Sequence, residues 1–142
     1  MPQFETFSLL RWIHFVCLAT AGGGMVACLL LSGFEESRED LRGLAATMWS
    51  RVVAWALRLA LVVGLALAFT LRLNPAHHPW FVAKLVLVVI LIALSEMTPK
   101  ALAAAKRGSA LLAMLLYLLT TFLTFNHNVL GVRPSAPAAT GK

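Results

Sequence analysis

Charged residues are scarce in this sequence. Of its 142 residues, 13% are charged and 60% are hydrophobic, whereas soluble domains are about a quarter charged and about half apolar. This composition excludes an ordinary soluble domain. Acidic residues are the rarer charge, with six Asp and Glu against twelve Lys and Arg. No basic run is interleaved with aromatics, so we attribute the excess to membrane topology and expect no nucleic-acid partner.

Cysteine is also rare, with two in the chain. Cys17 and Cys28 lie in one apolar run, where eleven residues of helix separate them by roughly 16 Å, beyond disulfide reach. They form neither a CxxC redox pair nor a Cys-rich metal site. The N-terminal residues lack the basic region and cleavage site of a signal peptide, so we expect the first apolar run to be a retained span.

Four apolar blocks remain, at about 7–34, 44–73, 80–97 and 109–129. A bilayer is crossed by roughly 20 apolar residues in a helix. The blocks therefore predict one all-α domain over 1–130, an integral membrane four-helix bundle surrounded by lipid. We expect the third block to end at Thr98-Pro99. Residues 35–43 and 100–108 are expected to form loops in water, and residues 131–142 a disordered Pro/Ala-rich tail.

The distribution of basic residues predicts the orientation. Four spans place both termini and the loop around His77 on one side of the membrane. By the positive-inside rule, the more basic loops face the cytoplasm. Six Lys or Arg lie near the loops at 35–43 and 100–108, and five lie on the terminal side. We therefore expect a bacterial-type inner (plasma) membrane protein with both termini in the periplasm.

Ionisable residues inside apolar spans are costly and are candidates for function. His14 lies in the first block, Arg58 in the second, Lys84 in the third and His127 in the fourth. Because successive spans cross the membrane in opposite directions, His14, Lys84 and His127 should lie at one end of the bundle, near His77-His78. Arg58 should lie deeper in the membrane than this cluster. Imidazoles and cations on different helices suit a haem held between them. His14 and His127 would bind the metal, and Lys84 and Arg58 would bind carboxylates.

Simpler explanations exist for several of these residues. His14 could hydrogen-bond a neighbouring helix, and Lys84 could extend towards the membrane surface. Arg58 requires a buried partner or an anionic ligand. Glu96, the one acidic residue within the apolar blocks, is a candidate partner for Arg51. The fourth block carries a polar stripe whose hydroxyls could bond their own helix backbone; the stripe consists of Tyr117, Thr120, Thr121, Thr124, His127 and Asn128.

Three stretches resemble the HemJ-type membrane protoporphyrinogen oxidases and the wider CopD-like group of small helical membrane proteins. They are LRWIHFVCLATAGG, MWSRVVAWALRLALVVGLALA and HPWFVAKLVLVVILIAL. Trp80 and Lys84 match the Trp and Lys that lead the family's third span, and His14 matches its haem-associated first-span histidine. The resemblance implies a haem b protein that oxidises protoporphyrinogen IX. Lys84 and Arg58 are then the candidate catalytic residues, which would position carboxylates of haem or substrate.

The sequence also departs from this family. Ser95 and Glu96 stand where the family usually has a histidine closing the third span, and no Asn-Glu-x-Pro-like element enters the last span. SirB-like small membrane proteins are about this size and share the Pro-Trp…Lys feature, so a divergent relative without the oxidase activity is an open alternative.

Two other classes of function stay open. One is a non-enzymatic CopD-like copper-handling or transport protein, with copper on His14 and His127 and help from Cys17 or Met25. The other is a structural membrane assembly factor. The glycines at 22–24 could allow a homo-oligomer to form through close helix contact.

Overall fold

The computed structural model of this chain describes residues 2–33, 39–71 and 79–125, and the side chains of 5–33, 39–71 and 79–124 among them. The described chain forms four helices, Pro2–Gly33, Glu39–Thr70, Pro79–Ala103 and Gly108–Phe125, and no strand. The predicted all-helical class is confirmed. His77, His78, His127 and the predicted tail 131–142 lie outside the described residues.

The first three helices are long and apolar enough to cross a membrane, over Glu5–Gly33, Glu39–Thr70 and Pro79–Ala103. The described part of the fourth helix is equally apolar but shorter. This pattern suggests a bilayer as the surroundings of the bundle. The predicted fourth span extends to residue 129, beyond the part of the helix that the structure describes.

The helices form a ring in which each contacts the next along the chain and the fourth contacts the first. The most extensive contacts join the first helix to the second, and those between the second and the third come next. Antiparallel neighbours with short connections are the expected packing of such a bundle. The first and third helices therefore lie diagonally across the ring.

The tightly packed core occupies one half of the bundle, the half nearest the connection at residues 104–107. Small residues are frequent in this core, as expected where helices pack closely in a membrane. Its fully buried members are Ala21, Met25, Cys28, Trp49, Val53, Ala110 and Ala113. In the other half, at 5–20, 61–71, 79–90 and 114–124, the buried residues among those described are Ala68 and Thr120, which keep 8% and 7% exposure.

A π-helical turn, Trp49–Val53, interrupts the second helix. The wider turn shifts the helical register, so Trp49 and Val53 are buried while Arg51 and Trp55 are exposed. The indole Nε1–H of Trp49 donates to the carbonyl and the hydroxyl oxygens of Ser95, at 3.2 and 3.1 Å. The π-helical turn thus connects the second helix to the third.

Two predicted boundaries are wrong. The third helix does not end at Thr98-Pro99 but continues through Pro99 to Ala103. Proline lacks an N–H for the carbonyl four residues earlier, and here that Ser95 carbonyl accepts from Trp49 instead. The second helix begins at Glu39, inside the predicted loop. Glu39 and Asp40 favour this start because negative side chains stabilise a helix N-terminus.

Candidate functional site

His14 packs against a glycine of the second helix. A Cβ added to Gly64 would lie 3.0 Å from Cε1 of His14, so the close approach of the ring depends on the glycine. The ring also lies near the backbone of Ala60, one turn earlier. Nδ1 of His14 is buried and has no hydrogen-bond partner among the described residues.

This arrangement matters for the chemistry of the imidazole. A neutral imidazole carries its proton on one ring nitrogen and a lone pair on the other. In the absence of a donor, that nitrogen can bind a metal ion or accept a proton. A neutral histidine in this position is chemically able to ligate iron.

Lys84 acts on the same ring from the third helix. It lies close enough to His14 to interact with it electrostatically, although the two helices are diagonal in the ring. Lys84 is partly buried, and a lysine in such a position favours an anionic partner. The structure thus brings together two of the predicted site residues, a histidine and a cation, in the less tightly packed half of the bundle.

The fourth helix forms another wall of this half. The Tyr117 hydroxyl donates to the carbonyl oxygen of Leu18 on the first helix, at 2.7 Å, and its ring lies against Gly22. The hydroxyls of Thr120, Thr121 and Thr124 each donate to the carbonyl four residues earlier, at 2.8 Å. These threonines satisfy their own helix, which is the simpler explanation considered from the sequence.

Arg58 lies on another face of the second helix. Six residues from Gly64 correspond to about 120° around the helix and about 9 Å along it. Its Nη2 donates to Oε1 of Glu96 at 2.5 Å, and its guanidinium lies 5.3 Å from the centre of the Trp55 ring. The predicted pairing of Glu96 with Arg51 is therefore wrong.

The geometry of the second helix explains why Glu96 pairs with Arg58 and not with Arg51. Cα–Cβ bonds tilt towards the N-terminus of a helix, so Arg58 reaches back over Trp55 in the preceding turn. At that level the third helix presents Glu96. Arg51 lies two turns further towards the end of the bundle and is exposed.

One component of the site, the face of the second helix that contacts His14, was not predicted although the sequence carries a signal for it. Small residues recur at every fourth position of the second helix, at Ala56, Ala60, Gly64 and Ala68. This spacing marks one helix face that allows close approach of a neighbour. The His14 ring lies on that face.

No group of three or more His, Cys, Asp or Glu suited to a metal ion occurs among the described residues. No family model, curated protein or solved structure matches this chain.

Proposed function

We propose that this protein is an integral membrane haem b protein in which His14 binds the iron. The observation that carries the proposal is the buried, unpartnered Nδ1 of His14 beside Lys84. The site also lies in the half of the bundle where few described residues are fully buried. His127 is the candidate second ligand. The bilayer in this proposal is a plasma (bacterial-type inner) membrane, with both termini outside.

Lys84 holds a propionate of the haem, or a carboxylate of the substrate, through a charge-assisted hydrogen bond. Lys84 is well suited to this role because it is partly buried and lies close enough to His14 to interact with it electrostatically. Arg58 already has the carboxylate of Glu96 as a partner, so in this proposal it contributes to the site through the packing of the second and third helices.

The reaction proposed, which the family resemblance implies, is the oxidation of a porphyrinogen, protoporphyrinogen IX, whose electrons and protons would pass to a separate oxidant. Haem supplies the capacity for electron transfer when it is bound. The residues of the chain bind and orient the macrocycle, and the surrounding helices exclude water. Substrate and cofactor both carry propionates, so Lys84 can serve either of them.

The test is the absorption spectrum of the protein, purified from membranes in mild detergent and recorded oxidised and reduced. We expect a Soret band in the natural protein and its loss in His14→Ala. Added imidazole should restore part of the band, because it can enter the cavity that the substitution leaves. Lys84→Met should lower haem retention about tenfold, and Lys84→Arg, which keeps the cation, should retain most of it.

Thr20→Val is a suitable control because the Thr20 hydroxyl donates to the carbonyl oxygen of Val16 in its own helix. This substitution should leave the spectrum unchanged. A colourless protein, even after expression with a haem precursor, would rule out the proposal. Stoichiometric copper in that colourless protein would favour the copper-handling function instead. A colourless, metal-free protein would favour an assembly factor.

A further inference from the structure

The ion pair of Arg58 and Glu96 lies on the outer surface of the bundle, where the second and third helices meet. The side chains are 43% and 48% exposed, respectively. Their neighbours on this surface are large and apolar, including Trp55, Val62 and Met97. The surface therefore combines one positive and one negative group within an otherwise apolar face.

The pair also lies within the apolar segments of both helices. Arg58 is two turns, about 10 Å, from Arg51 along the second helix, and Glu96 is about one turn from Lys100 along the third. In the membrane proposed above, these charges would face hydrocarbon. Charged side chains at such depth almost always face a protein interior or a water-filled cavity.

We propose that a second copy of this chain covers the surface formed by Trp55, Arg58, Val62, Glu96 and Met97. This proposal rests on the membrane location stated under the proposed function, but not on haem binding. A two-fold axis through the surface brings Arg58 of each copy to Glu96 of the other. Both charges then leave the lipid, and each guanidinium gains a second carboxylate.

The arrangement of charges favours a second copy over another occupant. A two-fold interface must be complementary to itself, and a surface with one cation beside one anion meets this condition. An anionic lipid headgroup would match Arg58 but would be repelled by Glu96. The interface uses helices two and three and leaves the glycines at 22 and 24, which pack inside the bundle against Tyr117 and Val53, out of the contact.

Charge exchange tests this interface without disturbing the pair inside each chain. A chain with both Arg58→Glu and Glu96→Arg keeps its internal pair and should associate with itself. With the natural chain it would place like charges opposite one another. We expect two differently tagged natural chains to co-purify from membranes, and two differently tagged exchanged chains to do the same. A natural chain should co-purify with an exchanged chain at least tenfold less efficiently.

The single variants provide a second arm of the test. Arg58→Glu and Glu96→Arg should each lose self-association, yet should associate when expressed together, since every pair between the two chains is then complementary. Arg11→Glu, a charge reversal on the first helix, should co-purify like the natural chain. Equal co-purification of natural and exchanged chains would overturn the proposal, as would natural copies that do not co-purify.

Cross-linking gives a readout that does not depend on charge. Two variants are compared, each in a chain with Cys17→Ala. Val62→Cys places a thiol in the proposed interface, and Leu115→Cys places one on the fourth helix. Both positions are 63% exposed. A bis-maleimide should link copies through position 62 and not through 115. Equal linking at both positions, or at neither, would overturn the interface. A monomer that still shows a Soret band would overturn this interface alone and leave the proposed function standing.

Discussion

The indole N–H of Trp49 donates to the carbonyl oxygen of Ser95, and this is the carbonyl that Pro99 leaves without a helical donor. The two groups lie on different helices, 3.2 Å apart. A buried carbonyl without a donor costs about 1–3 kcal/mol, so this bond allows the third helix to continue past its proline. The same tryptophan lies in the π-helical turn, which directs it inwards.

A double-mutant cycle on Trp49 and Pro99 should detect this bond. We expect Trp49→Phe to lower the free energy of unfolding by about 1–3 kcal/mol, through the lost hydrogen bond and the smaller ring. In a Pro99→Ala chain the new N–H can bond to the Ser95 carbonyl, so the same substitution should cost about 1 kcal/mol less. Unfolding by a denaturing detergent measures all four chains. Equal costs in the two backgrounds would contradict this account.

The number and class of the helices could be predicted from the sequence because long apolar runs allow few alternatives. Their ends could not be predicted equally well. Thr98-Pro99 has the features of a helix stop, and the donor that compensates for Pro99 is Trp49, fifty residues earlier. A hydrogen bond across that separation leaves no periodic pattern in the sequence.

The candidate site, like the fold, could be predicted in part from the sequence. Alternating spans were enough to expect His14 and Lys84 near one another, and in the structure they lie close enough to interact electrostatically. The partner of Arg58 was not predicted, because the π-helical turn shifts the register between Arg51 and Arg58. In a helix that is apolar on every side, hydrophobic periodicity does not identify the buried face. Small residues identify it better, as at Ala60 and Gly64.

Gly64→Ala should displace the His14 ring. The added methyl group would lie 3.0 Å from Cε1 of His14, so the ring must rotate or the helices must separate. We expect a loss of about 1–3 kcal/mol in the free energy of unfolding, together with a weaker Soret band in the haem-loaded protein. Gly23→Ala is the matched control, because nothing lies within 4 Å of its added Cβ. Equal effects of the two substitutions would show that His14 does not rest on Gly64.

Ala105→Gly should stabilise the protein. Ala105 has a positive φ of 59° and ends the third helix in a Schellman motif. Its N–H donates to Leu102, and the N–H of Lys106 donates to Ala101. Glycine adopts this conformation without a steric cost, so we expect a gain of about 1 kcal/mol. Ala103→Gly, in the last turn of the helix, should instead lose up to about 0.5–1 kcal/mol. A loss in both variants, measured by detergent unfolding, would exclude strain at Ala105.

Thiol labelling should determine the orientation of the bundle and whether the fourth helix spans the membrane. In a chain with Cys17→Ala, single cysteines at Pro79 and Ala105 mark opposite ends of the third helix, and both positions are exposed. Cys28 is fully buried and should not react. With the termini outside, an impermeant maleimide should label position 79 in intact cells and position 105 after permeabilisation alone. A cysteine added after residue 142 should label like position 79, since the fourth helix returns the chain to that side. The reverse pattern would show that the small excess of basic residues near the loops does not set the topology.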